Sequence, residues 1–177
     1  MLQPFIQPWL GYAVRHIPDG SYDVYDFSRA GLAVDNRWNV QGEPTLYLAS
    51  EKDVALGEWA RHFKVERSEA LAKKVKSRKV FRFQVTLNHT LNLCDAQVWQ
   101  VLSLDNAPNC FLDKGIARAT AQFIRKTTKV EAIFVPSVVF LDQLDKWVLV
   151  IFLEKLGTDP RRFLPSCVED GFFDVSA

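Results

Sequence analysis

Residues 37–58 read RWNVQGEPTLYLASEKDVALGE, and this stretch carries most of the signals from which the fold can be predicted. Thr45–Ala49 is a short β-prone run and predicts a strand. Ser50, with Asp53 three residues later, is an N-cap signal and predicts a helix from about residue 51 to 63. A loop, a strand and a helix are therefore expected to converge within a very short piece of chain.

Three chemically versatile side chains lie on these three elements: Arg37 in the loop, Tyr47 on the strand and Glu58 on the helix. The apolar side chains of the helix recur at helical spacing, at Val54, Ala55, Trp59 and Phe63. That stripe is expected to pack inward, which places Glu58 at its edge.

Elsewhere strands and helices mix without the regular alternation of a doubly wound sheet, so the pattern predicts an α+β fold. Turn-forming residues from Pro18 to Asn36 predict a loop. Alternation of apolar and polar residues from Arg78 predicts a strand with one solvated face, and Asp95 and Asp113 are each placed to cap a helix. The remaining predictions are strands at 9–17, 132–136 and 147–153, and helices at 68–77, 96–102 and 114–127.

The composition indicates one compact domain over residues 1–177, with 48% hydrophobic residues and a net charge of +1. So small a net charge argues against a general attraction to nucleic acid or to an anionic membrane. No apolar run approaches the roughly 20 residues that span a bilayer. The three cysteines are dispersed, which favours a reduced cytoplasmic setting. Whether exposed aromatic residues mark a homo-oligomer surface stays open.

The sequence resembles the RES-domain family, in which an RWN segment and a following glycine precede a strand bearing tyrosine and a helix bearing glutamate. Here these are 37–39, Gly42, Tyr47 and Glu58, and the strand ending in Pro136-Ser137 is a further match, so that the resemblance covers about residues 10–155. It implies a fold similar to that of ADP-ribosyltransferases and NAD+ as substrate. It also implies a toxin that a helix-turn-helix antitoxin neutralises.

Chemistry of the residues agrees with that implication. Cleaving the bond between ribose and nicotinamide leaves positive charge on the sugar, which the fixed carboxylate of Glu58 would stabilise. The guanidinium of Arg37 would clamp the pyrophosphate, and the ring of Tyr47 would attract the cationic nicotinamide. Ser137, at a strand end after Pro136, would hydrogen-bond the substrate or its amide.

Each of these four residues also has a purely structural interpretation. Arg37 would lie on the surface over Trp38, and Tyr47 would be a core aromatic residue with its hydroxyl satisfied. Glu58 would pair along its helix with Arg61 or His62, and Ser137 would only turn the chain.

Two further kinds of site are less favoured by the sequence. Glu58 and His62 have the spacing of two metal ligands, but the other histidines and the cysteines give no supporting pattern, so no metal is expected. A basic cluster at 73–79 lacks stacking aromatic residues and is interpreted as a solvated face rather than a nucleic-acid site.

Three functions therefore remain in competition. The favoured one is destruction of NAD+ by hydrolysis or phosphorolysis, with release of nicotinamide. The second is transfer of ADP-ribose to a protein target. The third is a catalytically silent RES-like binding domain. It is prompted by two departures from the family pattern: Asp35-Asn36 before Arg37, where the family often has glycines, and Val138-Val139 after Ser137, where it has a small residue and an arginine.

Overall fold

The computed structural model describes residues 2–66 and 77–174 and confirms the predicted α+β class. The strands are β1 (Gln7–Pro18), β2 (Thr45–Ala49), β3 (Ser77–Asn92), β4 (Ala132–Pro136), β5 (Trp147–Phe152) and β6 (Ser166–Asp174). The α-helices are α1 (Lys52–Glu66), α2 (Ala96–Val101) and α3 (Lys114–Thr127), and four short 3-10 helices complete the described elements. The predicted helix at 68–77 lies outside the described residues except for Ser77, which begins β3, and most of the basic cluster lies outside them as well.

The pairings of β1 to β5 close into a ring. The order is β1-β2-β5-β4-β3-β6, and β1 also pairs with β3. β1 and β3 form a long antiparallel ladder, while β3 and β4 form a short parallel one over Thr90–Asn92. β6 runs antiparallel to the first half of β3. The other pairs are antiparallel, in agreement with the expectation that this is not a doubly wound parallel sheet.

The five residues of β2 explain how the sheet has two covered faces. Leu46 and Leu48 are buried in one apolar cluster, with Phe83, Leu149 and Ile151. Tyr47 and Ala49 pack instead against the other cluster, which includes Trp38 and residues of all three helices. Because side chains alternate along a strand, each face of β2 meets its own core. The second face also borders the cavity described below.

Two features differ from the sequence-based expectations. Ser50 was expected to cap α1, but its buried Oγ has no hydrogen-bond partner among the described residues. The caps at Asp95 and Asp113 are confirmed, since each carboxylate accepts backbone N–H bonds from the start of its helix. The other difference is β6, which the sequence analysis did not predict.

In the described ranges, no helix combines the length and the apolarity that crossing a bilayer requires.

Candidate active site

A cavity of about 340 Å³ lies where the loop before β2, the strands β1 and β2, and the helix α1 meet. Its walls combine aromatic rings with charged groups, among them Arg37, Trp38, Tyr47, Glu58, Trp59 and Arg61. Three of the four predicted site residues, Arg37, Tyr47 and Glu58, are therefore brought together. Ser137 does not line the cavity, although its neighbours Pro136 and Val138 do.

Arg37 is buried, with 7% of its surface exposed, so the interpretation as a surface arginine is wrong. Its Nη1 donates to the carbonyl oxygens of Phe111 and Leu112, at 2.8 Å each. Burial lowers the pKa of Arg37, and the positive charge of Arg61 lowers it further. Arg37 is thus held by one nitrogen at the cavity wall, and its Nε and Nη2 make no hydrogen bond among the described residues.

Tyr47 has a satisfied hydroxyl and also lines the cavity. Its hydroxyl donates to Asn39 Oδ1 at 2.6 Å and accepts from the Trp38 backbone N at 3.3 Å. Asn39 is fully buried, and its Nδ2 donates to the carbonyls of Gly31 and Val40. Burial raises the pKa of Tyr47, so the phenol stays neutral. The hydroxyl therefore shapes the RWN loop, while the ring contributes to the cavity wall.

Glu58 is fixed by contacts from the segment that follows β4. Its Oε1 accepts a hydrogen bond from Ser137 Oγ at 2.6 Å and another from the Val138 backbone N at 3.0 Å. Ser137 is fully buried, and its Oγ also accepts from Val139 N at 3.3 Å. Direct contact of Ser137 with a ligand, as expected from the sequence, does not fit this burial. Its hydroxyl orients Glu58 instead.

The predicted structural alternative for Glu58, a pair with Arg61 along α1, does not occur among the described residues, and Oε1 of the carboxylate accepts hydrogen bonds from Ser137 and Val138. The side chain of His62, the other partner considered, lies outside the described residues. In the part of the chain that the structure describes, histidine, cysteine, aspartate and glutamate side chains do not gather into a group able to hold a metal.

α3 holds the loop that carries Arg37. Arg118 donates from Nε to the carbonyl of Asn36 and from Nη2 to that of Val34, at 2.8 Å each. On the other side of Arg37, Glu43 Oε2 accepts from the Val40 backbone N at 3.1 Å and lies 2.8 Å from Arg125 Nη1. Sequence reasoning assigned no role to Arg118 or Arg125, because the loop and α3 are about 80 residues apart and no local pattern links them.

His16 of β1 contributes to the wall beside α1. Its Nδ1 accepts a hydrogen bond from Arg78 Nε at 2.6 Å, and its ring lies edge-on to Trp59 and Phe173. Burial, followed by the charges of Arg78 and Arg15, lowers the pKa of His16 to about 3. His16 is therefore an uncharged part of the cavity wall near neutral pH.

The comparisons with known proteins agree with this architecture. The model of a family described as the RES domain matches residues 13–165. A crystal structure of the M. tuberculosis MbcT–MbcA toxin–antitoxin complex contains a similar chain, with a TM-score of 0.60 and 16% sequence identity. The match covers 94% of this chain and 87% of that one. At that identity the likeness supports the fold alone. The comparison with curated protein sequences gives no match.

Proposed function

This chain belongs to the RES-domain family, and from that premise we propose that its cavity binds NAD+ and cleaves the bond between ribose and nicotinamide. In the proposed reaction the C1′–N bond breaks and its electron pair leaves with nicotinamide, which neutralises the ring. An oxygen of water, which releases a proton to the solvent, or of phosphate then bonds to C1′. The products are nicotinamide and ADP-ribose, or its 1-phosphate.

The fixed carboxylate of Glu58 is the observation that carries the proposal. Two donors, Ser137 Oγ and Val138 N, hold the same oxygen, Oε1, at the cavity wall. The other oxygen, Oε2, is therefore held in a defined direction. A negative group that is already oriented stabilises an oxocarbenium-like sugar without reorganising during the reaction. Acid–base chemistry by Tyr47 is disfavoured, because burial raises its pKa and its hydroxyl is already engaged.

Other side chains of the cavity fit the remaining parts of the dinucleotide. The aromatic faces of Trp38, Tyr47 and Trp59 are suited to a cationic nicotinamide ring. The Nε and Nη2 edge of Arg37 is suited to a phosphate, since Nη1 alone is committed to carbonyl groups. Tyr47 and Arg37 thus keep the ligand-binding roles expected from the sequence, and Ser137 takes a positioning role.

We further propose that the activity is that of a toxin with a neutralising antitoxin of the helix-turn-helix type. The fold shared with a chain of a toxin–antitoxin complex supports this proposal. It also agrees with the chemistry, because a catalyst that consumes NAD+ without control would harm its own cell.

The test is direct measurement of nicotinamide released from NAD+ by the purified chain, with and without orthophosphate and with and without cell extract. Release without extract supports hydrolysis or phosphorolysis, and dependence on phosphate identifies phosphorolysis. Release that occurs only with extract, together with ADP-ribose attached to a protein of the extract, would identify an ADP-ribosyltransferase instead. The matched control is Glu58→Gln, which keeps the side-chain shape and is expected to lower turnover about 100-fold or more. No release under any condition would contradict the proposal.

A further inference from the structure

The cavity carries more positive than negative charge. Its charged lining residues are Arg15, Arg37, Arg61, Lys114, Asp35 and Glu58. His16 adds no charge near neutral pH, because its pKa is lowered to about 3 by burial and by nearby arginines. Four cationic groups thus face two carboxylates. Since like charges that line one cavity repel each other, such an excess favours a ligand with negative charge.

The arginines of the cavity differ in what already binds them. Arg15 donates to the carbonyl of Val24 and lies over the ring of Phe27. Arg37 donates to two carbonyls. Arg61 is partly buried, yet its guanidinium makes neither a hydrogen bond nor an ion pair with the groups that the structure describes, among which the side chains of residues 62–76 are not included. Its five donors are consequently all available to a ligand.

Arg61 and Arg37 also act on each other as like charges. After burial, the charge of Arg61 is the largest cause that lowers the pKa of Arg37, ahead of the opposing effect of Glu58. Two guanidiniums that line one cavity repel each other, and at Arg37 the opposing effect of Glu58 is smaller than that of Arg61. An oxyanion between them would relieve that repulsion and offer each one planar oxygen pairs.

Position along α1 puts this pair close to the proposed reaction centre. Glu58 and Arg61 are three residues apart, and side chains at that spacing share one helix face. A group bound by Arg61 therefore lies about one helical turn from the carboxylate that would stabilise the sugar.

We propose that Arg61 is an anion-binding residue and that one phosphate group binds between the guanidiniums of Arg61 and Arg37. This inference rests on the proposed function and specifies how its substrate is held. The group has two possible sources: the pyrophosphate of the dinucleotide, or orthophosphate that attacks the sugar. Arg61 supplies the complete fork, and Arg37 supplies the Nε and Nη2 edge that its carbonyl contacts leave open.

The experiment measures calorimetric affinity for ADP-ribose and for orthophosphate in the wild type, Arg61→Gln, Arg61→Lys and Arg29→Gln. ADP-ribose contains the pyrophosphate but lacks nicotinamide, so binding is measured without turnover. Arg29→Gln removes the same charge from an exposed position outside the cavity and is the matched control. Melting of each variant is recorded beside its affinity.

We expect Arg61→Gln to weaken ADP-ribose binding about 10- to 100-fold if the pyrophosphate is the group held. If orthophosphate is held instead, the same loss appears in the phosphate arm alone. The affinity of Arg61→Lys should lie between those of the wild type and Arg61→Gln, because lysine keeps the charge but not the guanidinium fork. The affinity of Arg29→Gln should match that of the wild type. Arg61→Gln should melt no lower than the wild type, because it removes repulsion and breaks no hydrogen bond or ion pair among the described residues.

Several results would overturn the inference. These are unchanged affinity of Arg61→Gln for both ligands, a clear fall in the melting temperature of Arg61→Gln, or no binding of either ligand by the wild type. Failure of the proposed function is separable from these. A wild type that binds ADP-ribose through Arg61 but releases no nicotinamide would contradict cleavage while leaving the anion site in place.

Discussion

Ser137 acts on Glu58, and its effect on catalysis is therefore expected to be indirect. Replacing it with alanine removes one of the two donors on Glu58 Oε1 and leaves the Val138 N–H in place. We predict that Ser137→Ala lowers kcat for nicotinamide release about 10-fold or more, the worth of a hydrogen bond to a charged group. KM should change little, because the fully buried Ser137 does not line the cavity. Steady-state kinetics separate the two parameters, and a rise in KM with normal kcat would show that Ser137 binds substrate directly.

Tyr47 gives a second prediction, which concerns stability. Tyr47→Phe removes the donor to Asn39 Oδ1, and Asn39 is fully buried, so its amide oxygen loses a partner that water cannot easily replace. We expect a loss of about 1 to 3 kcal/mol in the free energy of unfolding, measured by urea denaturation. Tyr22→Phe, at an exposed tyrosine, should have no effect. Equal stability of the two variants would show that the hydroxyl does not support the RWN loop.

At the scale of residues, the sequence was a better guide to which side chains come together than to the role of each one. Arg37, Tyr47 and Glu58 lie on consecutive elements, so their convergence follows from local structure. Ser137 comes from a strand end about 80 residues further along, and only the three-dimensional structure shows that its hydroxyl points to Glu58. Arg61 was considered only as a helix partner of Glu58, because sequence spacing cannot show that a side chain lacks a partner.

Among the elements, α3 stabilises the loop of the site through a buried arginine. Arg125 is 6% exposed, with Nη1 2.8 Å from Glu43, Nε 3.0 Å from Glu154 and Nη2 donating to Thr45 Oγ1 at 2.8 Å. Its guanidinium also lies 4.3 Å from the ring centroid of Phe152. One side chain thus connects α3 to the end of the β2–β5 ladder at which Thr45 pairs with Phe152.

Replacing Arg125 should lower the free energy of unfolding more than replacing an exposed charged residue does. We predict that Arg125→Met lowers the free energy of unfolding by about 3 kcal/mol, because it leaves Glu43 and Thr45 without their buried partner. Lys126→Met, the exposed neighbour on the same helix, is the control and should change stability little. A double variant with Glu43→Gln should lose less unfolding free energy than the two single variants lose together, since the residues share one network. Full additivity by urea denaturation would contradict the coupling.

Most elements were predictable, and those that were not have identifiable reasons. Helices α2 and α3 and the strand β2 carry caps or periodicity within their own sequence, and their positions are confirmed. β6 contains Asp170 and Gly171 amid exposed apolar residues, so its alternation is weak, and it is recognisable mainly through its ladder with β3. Ser50 matches a capping pattern, but its hydroxyl is turned away from any partner among the described residues.

For the whole molecule, the ring of strands brings distant parts of the chain together at the cavity wall that contains His16 of β1. β1 pairs with β3 along its length and with β2 only at Val14 and Ala49. Sequence patterns predicted these strands but not their order, because pairing depends on contacts between segments far apart. One result is that His16 of β1 lies between Arg78 of β3 and the aromatic rings of α1 and β6.

This buried histidine should make global stability depend on pH. The pKa of His16 falls from 6.5 to about 3 on folding, because burial and the charges of Arg78 and Arg15 disfavour the imidazolium. Below pH 6.5, His16 is therefore protonated in the unfolded chain but stays neutral in the folded chain. The stability that neutral His16 contributes is complete above pH 6.5 and is lost as the pH falls toward 3.

His16→Asn is the variant that isolates this effect, because an amide oxygen can still accept the bond from Arg78 Nε but does not titrate. We predict that the difference in unfolding free energy between wild type and variant is constant above pH 6.5 and changes by about 2 kcal/mol, to the disadvantage of the wild type, by pH 5. His62 and His89 are present in both proteins, so their contributions cancel. Urea denaturation at half-unit intervals from pH 7.5 to 5 measures the difference. Parallel stability curves would mean that His16 accepts a proton in the folded state at its ordinary pKa, with the wall beside α1 open to water.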